Sequence, residues 1–126
     1  MPSPRSMALA TSLWAVAVVG ESTADRQLRE FRTRPENTGR TCREGLWHYS
    51  RHPNYFCEWL YWLAYLPLTT HSPLALLSGI ASPALVYLAL THVTGIPLAE
   101  AQALKSRKDY KEYQLTTNAF FPWFPR

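Results

Sequence analysis

From Pro73 to Ile96 the chain runs for 24 residues without an aspartate, glutamate, lysine or arginine. A helix of that length is about 36 Å long at the usual rise per residue, enough to cross a hydrocarbon core of about 30 Å. A soluble fold of 126 residues has little interior in which to hide such an element. The run therefore predicts a membrane helix. Pro83, beside Ser82, predicts a kink inside it whose freed backbone groups neighbouring helices must satisfy.

The mean hydropathy of −0.21 conceals this pattern, because the apolar residues are gathered into three blocks that hold almost no charge. The first block, Met7 to Val19, has only Thr11 and Ser12 as polar members. It is followed by Asp25-Arg26-Gln27-Leu28-Arg29-Glu30-Phe31-Arg32 with no proline before Pro35, so one helix can run from membrane to water. Asp25 and Arg29, four residues apart, are expected to pair on its surface. A secretory signal peptide is the alternative for residues 1–20, but it would leave the third block unexplained. Pro35-Glu36-Asn37-Thr38-Gly39 reads as a turn. The second block, Tyr55 to Leu68, is dense in Tyr and Trp, which suit a membrane–water interface. After Pro97 a polar helix is expected, then the string Phe120-Phe121-Pro122-Trp123-Phe124-Pro125, too rich in proline for a helix and too aromatic for a free tail.

The expected fold is all-α: an integral membrane bundle of about three transmembrane helices with a C-terminal interfacial helix. Residues 1–20 form its first span, and residues 21–126 the rest of a single domain. Three spans put the loop 21–53 and the C-terminal tail on one side. The loop holds seven arginines (Arg26, Arg29, Arg32, Arg34, Arg40, Arg43, Arg51), and the tail adds Lys105, Arg107, Lys108, Lys111 and Arg126. The positive-inside bias makes that side cytoplasmic, in the endoplasmic reticulum or a bacterial inner membrane. The formal charge of +4 favours phosphate or headgroup contact, and no nucleic-acid motif accompanies it. Cys42 and Cys57 have neither metal-ligand spacing nor the density of a disulfide scaffold, and read as reduced thiols. No metal is expected.

Chemistry concentrates where the second block begins, at Trp47-His48-Tyr49-Ser50-Arg51-His52-Pro53-Asn54-Tyr55-Phe56-Cys57-Glu58-Trp59. Pro53 suits a first helical turn, and Asn54 and Glu58 stand four apart on one face. A carboxylate at the mouth of a membrane span is costly unless it is paired or reactive. Arg51 offers a planar fork for phosphate, and His52 a hydrogen-bond donor or acceptor. The residue types fit an interfacial anchor that sets helix depth as well as they fit a ligand site.

The order of those residues goes further. Tyr49-Ser50-Arg51-His52-Pro53-Asn54-Tyr55-Phe56 followed by Glu58 and Trp59 resembles the membrane-protein relatives of the steroid 5α-reductases, with sterol reductases more distant. Glu21, Ala24, Asp25, Gln27, Leu28, Phe31 and Gly45-Leu46-Trp47 extend the resemblance upstream. Thr94-Gly95-Ile96-Pro97-Leu98, Glu100, Tyr110, Tyr113 and the segment from Thr117 to Pro125 extend it downstream.

The resemblance implies a membrane oxidoreductase that uses NADPH to reduce a conjugated C=C of a lipid-like substrate. Asn54 and Glu58 would hold the nicotinamide carboxamide, with Arg51, His52 and Tyr55 beside them. Asp25, Arg29 and Arg32 would face the adenosine and phosphate portion. Arg107, Tyr110 and Tyr113 would close over the cofactor. No catalytic acid is identified, and complete relatives carry further N-terminal spans that supply one, so this chain is expected to provide only the cofactor-binding half. Cys57 stands where the resembled proteins usually have glycine, and is expected to crowd the nicotinamide. Two other functions fit the same residues. Isoprenylcysteine-type and phospholipid methyltransferases share an Arg-His-Pro-x-Tyr string but bind S-adenosylmethionine; Asn54 and Glu58 favour the reductase. The other is a non-catalytic membrane fragment, in which Asp25 and Arg29 are a solvated pair, Tyr110 and Tyr113 interfacial packing, and Arg107 a topology charge.

Overall fold

The computed structural model describes residues 2–126, and among them the fold is all-helical, with no strand. Helix α1 spans Pro4–Thr33 and starts under a Ser3 cap whose hydroxyl accepts the Ser6 N–H, with Pro4 in the first turn. The helix runs unbroken past residue 20 to Thr33, as the lack of proline before Pro35 predicts. Gly20 is absorbed inside the helix because α2 packs over it. The face turned to α2 is small: Ala10, Ala17 and Ala24 are buried at sevenfold spacing, and Phe31 continues the series. That spacing keeps one seam against a neighbouring helix.

Helix α2 covers Pro53–Leu63, with Pro53 in its first turn, as its place in the sequence predicts. It stops eleven residues on, well short of Leu68, and a 3₁₀ turn at Leu66–Leu68 completes the block. Pro67 has no N–H to carry the α ladder onward, which shortens the expected second span. Helix α3, Pro73–Leu88, is capped by Ser72 and contains Pro83. Trp59 donates its indole N–H to the Pro83 carbonyl at 3.1 Å, and Ser82 donates to the Ser78 carbonyl at 2.9 Å. The first bond ties α2 to α3 at the proline, and the second lies one residue before Gly79, whose carbonyl loses its usual N–H partner at Pro83.

A π turn, Ala89–Val93, joins α3 to α4, Gly95–Ser106, and α5 spans Tyr110–Thr116. Two stretches are long and apolar enough to cross a membrane: α1 and the run Pro73–Ser106. Within the second, the uncharged part ends at Ala99, so Glu100 and Lys105 lie beyond it. Both stretches leave large apolar residues uncovered, among them Val16, Val19, Leu74, Leu77 and Leu85.

The polar segments meet at one end of the bundle. Asn118 accepts the Arg51 N–H at 2.8 Å through its carbonyl, the Trp123 N–H donates to the Tyr49 carbonyl at 3.0 Å, and the Ser50 hydroxyl donates to the Phe120 carbonyl at 2.9 Å. The tail thus lies back along the loop before α2. Phe120 and Phe121 pack edge-on against Phe56 and Trp59. The aromatic string is anchored, as its composition predicts, although Trp123 and Phe124 remain exposed.

Candidate functional site

Between the end of α1, the start of α2, α4 and α5 lies a cavity of about 280 Å³. Its walls include Arg32, Trp47, Arg51, His52, Asn54, Tyr55, Arg107, Tyr110 and Tyr113. The segment before α2 is held there by a short internal frame. Gly45 adopts φ +60° and lies against the Gln27 side chain, whose Oε1 accepts the Leu46 N–H at 3.0 Å. The positive φ favours glycine there, and a Cβ would displace the end of the Gln27 side chain, 2.3 Å away. Trp47 donates its indole N–H to the Ala24 carbonyl at 2.9 Å. The Ser50 side chain, fully buried, accepts the His52 N–H at 3.1 Å.

Tyr113 closes the frame from the other side. Its buried hydroxyl reaches the carbonyls of Trp47 and Ser50, the second at 3.0 Å. Burial pushes its pKa up, so it stays a proton donor. Asp109 accepts the Thr41 N–H at 3.1 Å and the Thr41 hydroxyl at 2.7 Å. Burial opposes its ionisation, but these hydrogen bonds outweigh burial and lower its pKa. Cys42 also lines the cavity; burial raises the pKa of its thiol, which makes it unreactive.

Glu100 organises the charged wall. One carboxylate oxygen, Oε2, accepts from Arg51 Nη1 at 2.5 Å, from the Tyr110 hydroxyl at 2.7 Å and from His52 Nε2 at 3.1 Å. An ionised carboxylate only accepts, so His52 carries its proton on Nε2 here. Burial alone would raise the Glu100 pKa. The hydrogen bonds from His52 and Tyr110 and the charge of Arg51 outweigh it and hold the group at about 2. Burial, together with the bond to Glu100, raises the Tyr110 pKa.

The expected site residues divide into two groups. Arg51, His52, Asn54, Tyr55, Arg32, Arg107, Tyr110 and Tyr113 share the cavity, with His52 stacked on Tyr55 at 5.3 Å and Arg107 over the Tyr110 ring at 5.9 Å. Glu58 and Asp25 line a separate groove with Glu21 and Tyr61. Asn54 and Glu58 share a helix, but α2 turns them toward different spaces. Arg29 is exposed and borders neither, and the surface ion pair of α1 is Arg26–Glu30 at 4.0 Å rather than Asp25–Arg29. Cys57 does not crowd the cavity. It faces α1, where a Cβ on Gly20 would come within 2.6 Å of its Sγ. Cys42 and Cys57 are both buried and free, and no group of three or more metal-ligating side chains occurs among the described residues.

Glu100 was legible only as part of the resemblance. The available signal was its isolation: it is the sole carboxylate between Glu58 and Asp109 and follows directly on the uncharged run. Such a group demands partners.

Two buried polar atoms of residues that line the cavity have no partner in the protein, Arg51 Nε and Asn54 Oδ1. One is a donor and the other an acceptor, and no carboxylate among the described residues lines the cavity beside its three arginines. The arrangement suits an anionic ligand that also offers an N–H and an acceptor. No curated protein and no solved structure matches the chain. The sequence profile of a protein family of unknown function, DUF1295, matches residues 5–117 and so covers most of the chain, which therefore belongs to that family.

Proposed function

We propose that the chain binds NADPH in this cavity and serves a membrane reductase resembling the steroid 5α-reductases. The carrying observation is the unpartnered, buried Asn54 Oδ1 at the wall of a cavity that three arginines also line. A buried acceptor without a donor costs about 1–3 kcal/mol, and a carboxamide N–H would relieve it. Arg32 and Arg107 would meet the phosphates, for which guanidinium forks are suited. Tyr55, held against His52, would form the flank of the nicotinamide position. Bound NADPH would supply a hydride for a conjugated C=C of a lipid-like substrate reaching the site from the membrane. Tyr110 would keep its proton in its bond to Glu100, and Trp47 and Tyr113 would keep water from that wall. The cation-rich end that holds the site would be cytoplasmic.

Glu58 and Asp25 enter this reading no further, because they line the neighbouring groove. That separation removes one of the two residues favouring a reductase over a methyltransferase, and makes S-adenosylmethionine the competing ligand. Calorimetric titration of the chain in detergent decides between them. NADPH is expected to bind more tightly; preference for S-adenosylmethionine would assign the cavity to methyl transfer.

A further inference from the structure

Three side chains that line the cavity, Arg51, His52 and Tyr110, converge on a single oxygen of Glu100, which stands behind the lining. Arg51 and His52 come from the segment before α2, Tyr110 from α5, and Glu100 itself from α4. Gln114, also on α5, donates to the other oxygen at 3.4 Å. The Glu100 side chain is 14% exposed and that of Arg51 12%, so the contact is shielded from bulk water. Arg107, over the Tyr110 ring, and Arg32 are the other cations lining the cavity, and neither makes an ion pair among the described residues.

This arrangement constrains what Arg51 can do. With Nη1 bound to Glu100 and Nε buried, it cannot present its fork to a phosphate as a free arginine would. It becomes a fixed wall of the cavity, its charge balanced. Resting on the proposal that the cavity takes a dinucleotide, we infer that Glu100 is the positioning residue of the site, holding Arg51, His52 and Tyr110 in the geometry that receives the ligand and withholding Arg51 from indiscriminate anion binding.

The π turn widens the helix between α3 and α4, the helix that carries Glu100. The Thr94 N–H and hydroxyl both bond to the Ala89 carbonyl, at 2.7 and 3.1 Å, and stabilise that turn.

The test compares wild type with Glu100→Gln and Glu100→Asp in the full chain in detergent, using NADPH and inorganic pyrophosphate as probes. Glutamine is nearly isosteric but removes the charge. It should weaken NADPH about tenfold and tighten pyrophosphate several-fold, because the Arg51 fork is released. The pyrophosphate gain should vanish when Arg51→Gln is added. Aspartate keeps the charge on a shorter arm, and should weaken NADPH without improving pyrophosphate. A merely structural role would weaken both probes in Glu100→Gln, and that result overturns the inference, as does wild-type NADPH affinity in Glu100→Asp. If wild type binds no NADPH, the dinucleotide reading fails, while the pyrophosphate comparison still decides the role of Glu100.

Discussion

Tyr113 shows how much of the site depends on single buried groups. Its hydroxyl serves the Trp47 and Ser50 carbonyls, both on the segment that delivers Arg51 and His52. Tyr113→Phe removes one atom yet leaves buried acceptors without a donor. It should lower stability by about 1–3 kcal/mol, measurable by denaturation in detergent. Glu100 makes a different demand. Its folded pKa of about 2 lies below its ordinary 4.5. A depressed carboxylate stabilises the fold above its unfolded pKa, and that contribution disappears as pH falls from about 4.5 toward 2. Thermal unfolding midpoints should therefore drop across this window in wild type and change less in Glu100→Gln. At this scale the sequence was partly legible. Arg51, His52, Pro53 and Asn54 announced themselves by sitting where a span begins. The position of Glu58 did not, since a four-residue spacing puts two side chains on one face without saying which cavity each borders.

Among the elements, the α1–α2 seam is closely packed. Ala10, Ala17, Gly20 and Ala24 let α2 approach, and the Cys57 sulfur takes the space that a side chain at Gly20 would fill. Gly20→Ala should destabilise the chain by about 1–3 kcal/mol through overpacking. Adding Cys57→Gly should recover most of that loss, since the two residues share one volume and their effects are not additive. Equal destabilisation in the single and double variants would show that the seam relaxes elsewhere. The α1 and α3 helices were evident from composition, because uninterrupted apolar runs leave few alternatives. The early end of α2 followed from Pro67 but was masked by the apolar residues around it. The π turn at Ala89–Val93 had no sequence signature; Leu90 and Tyr55 pack close to Gly95 just beyond it.

For the molecule as a whole, the bundle exposes apolar flanks on two long helices while its polar loop and tail close one end. Such flanks need hydrocarbon or other helices against them, so the chain should stay in the membrane pellet after alkaline carbonate extraction. Recovery in the supernatant would contradict the membrane fold. The end of the bundle carrying the cations was foreseeable from the arginine count. That the tail is hydrogen-bonded to Tyr49, Ser50 and Arg51 was not, because each bond has at least one backbone carbonyl as its partner, and no side-chain pattern encodes those. The central claim is that the cavity bordered by Asn54, and not the groove bordered by Glu58, receives the cofactor. NADPH titration of Asn54→Ala and Glu58→Ala side by side measures this most directly. Asn54→Ala should weaken binding by about 1–3 kcal/mol, with Glu58→Ala near wild type. Loss of binding in Glu58→Ala with full affinity in Asn54→Ala would contradict it.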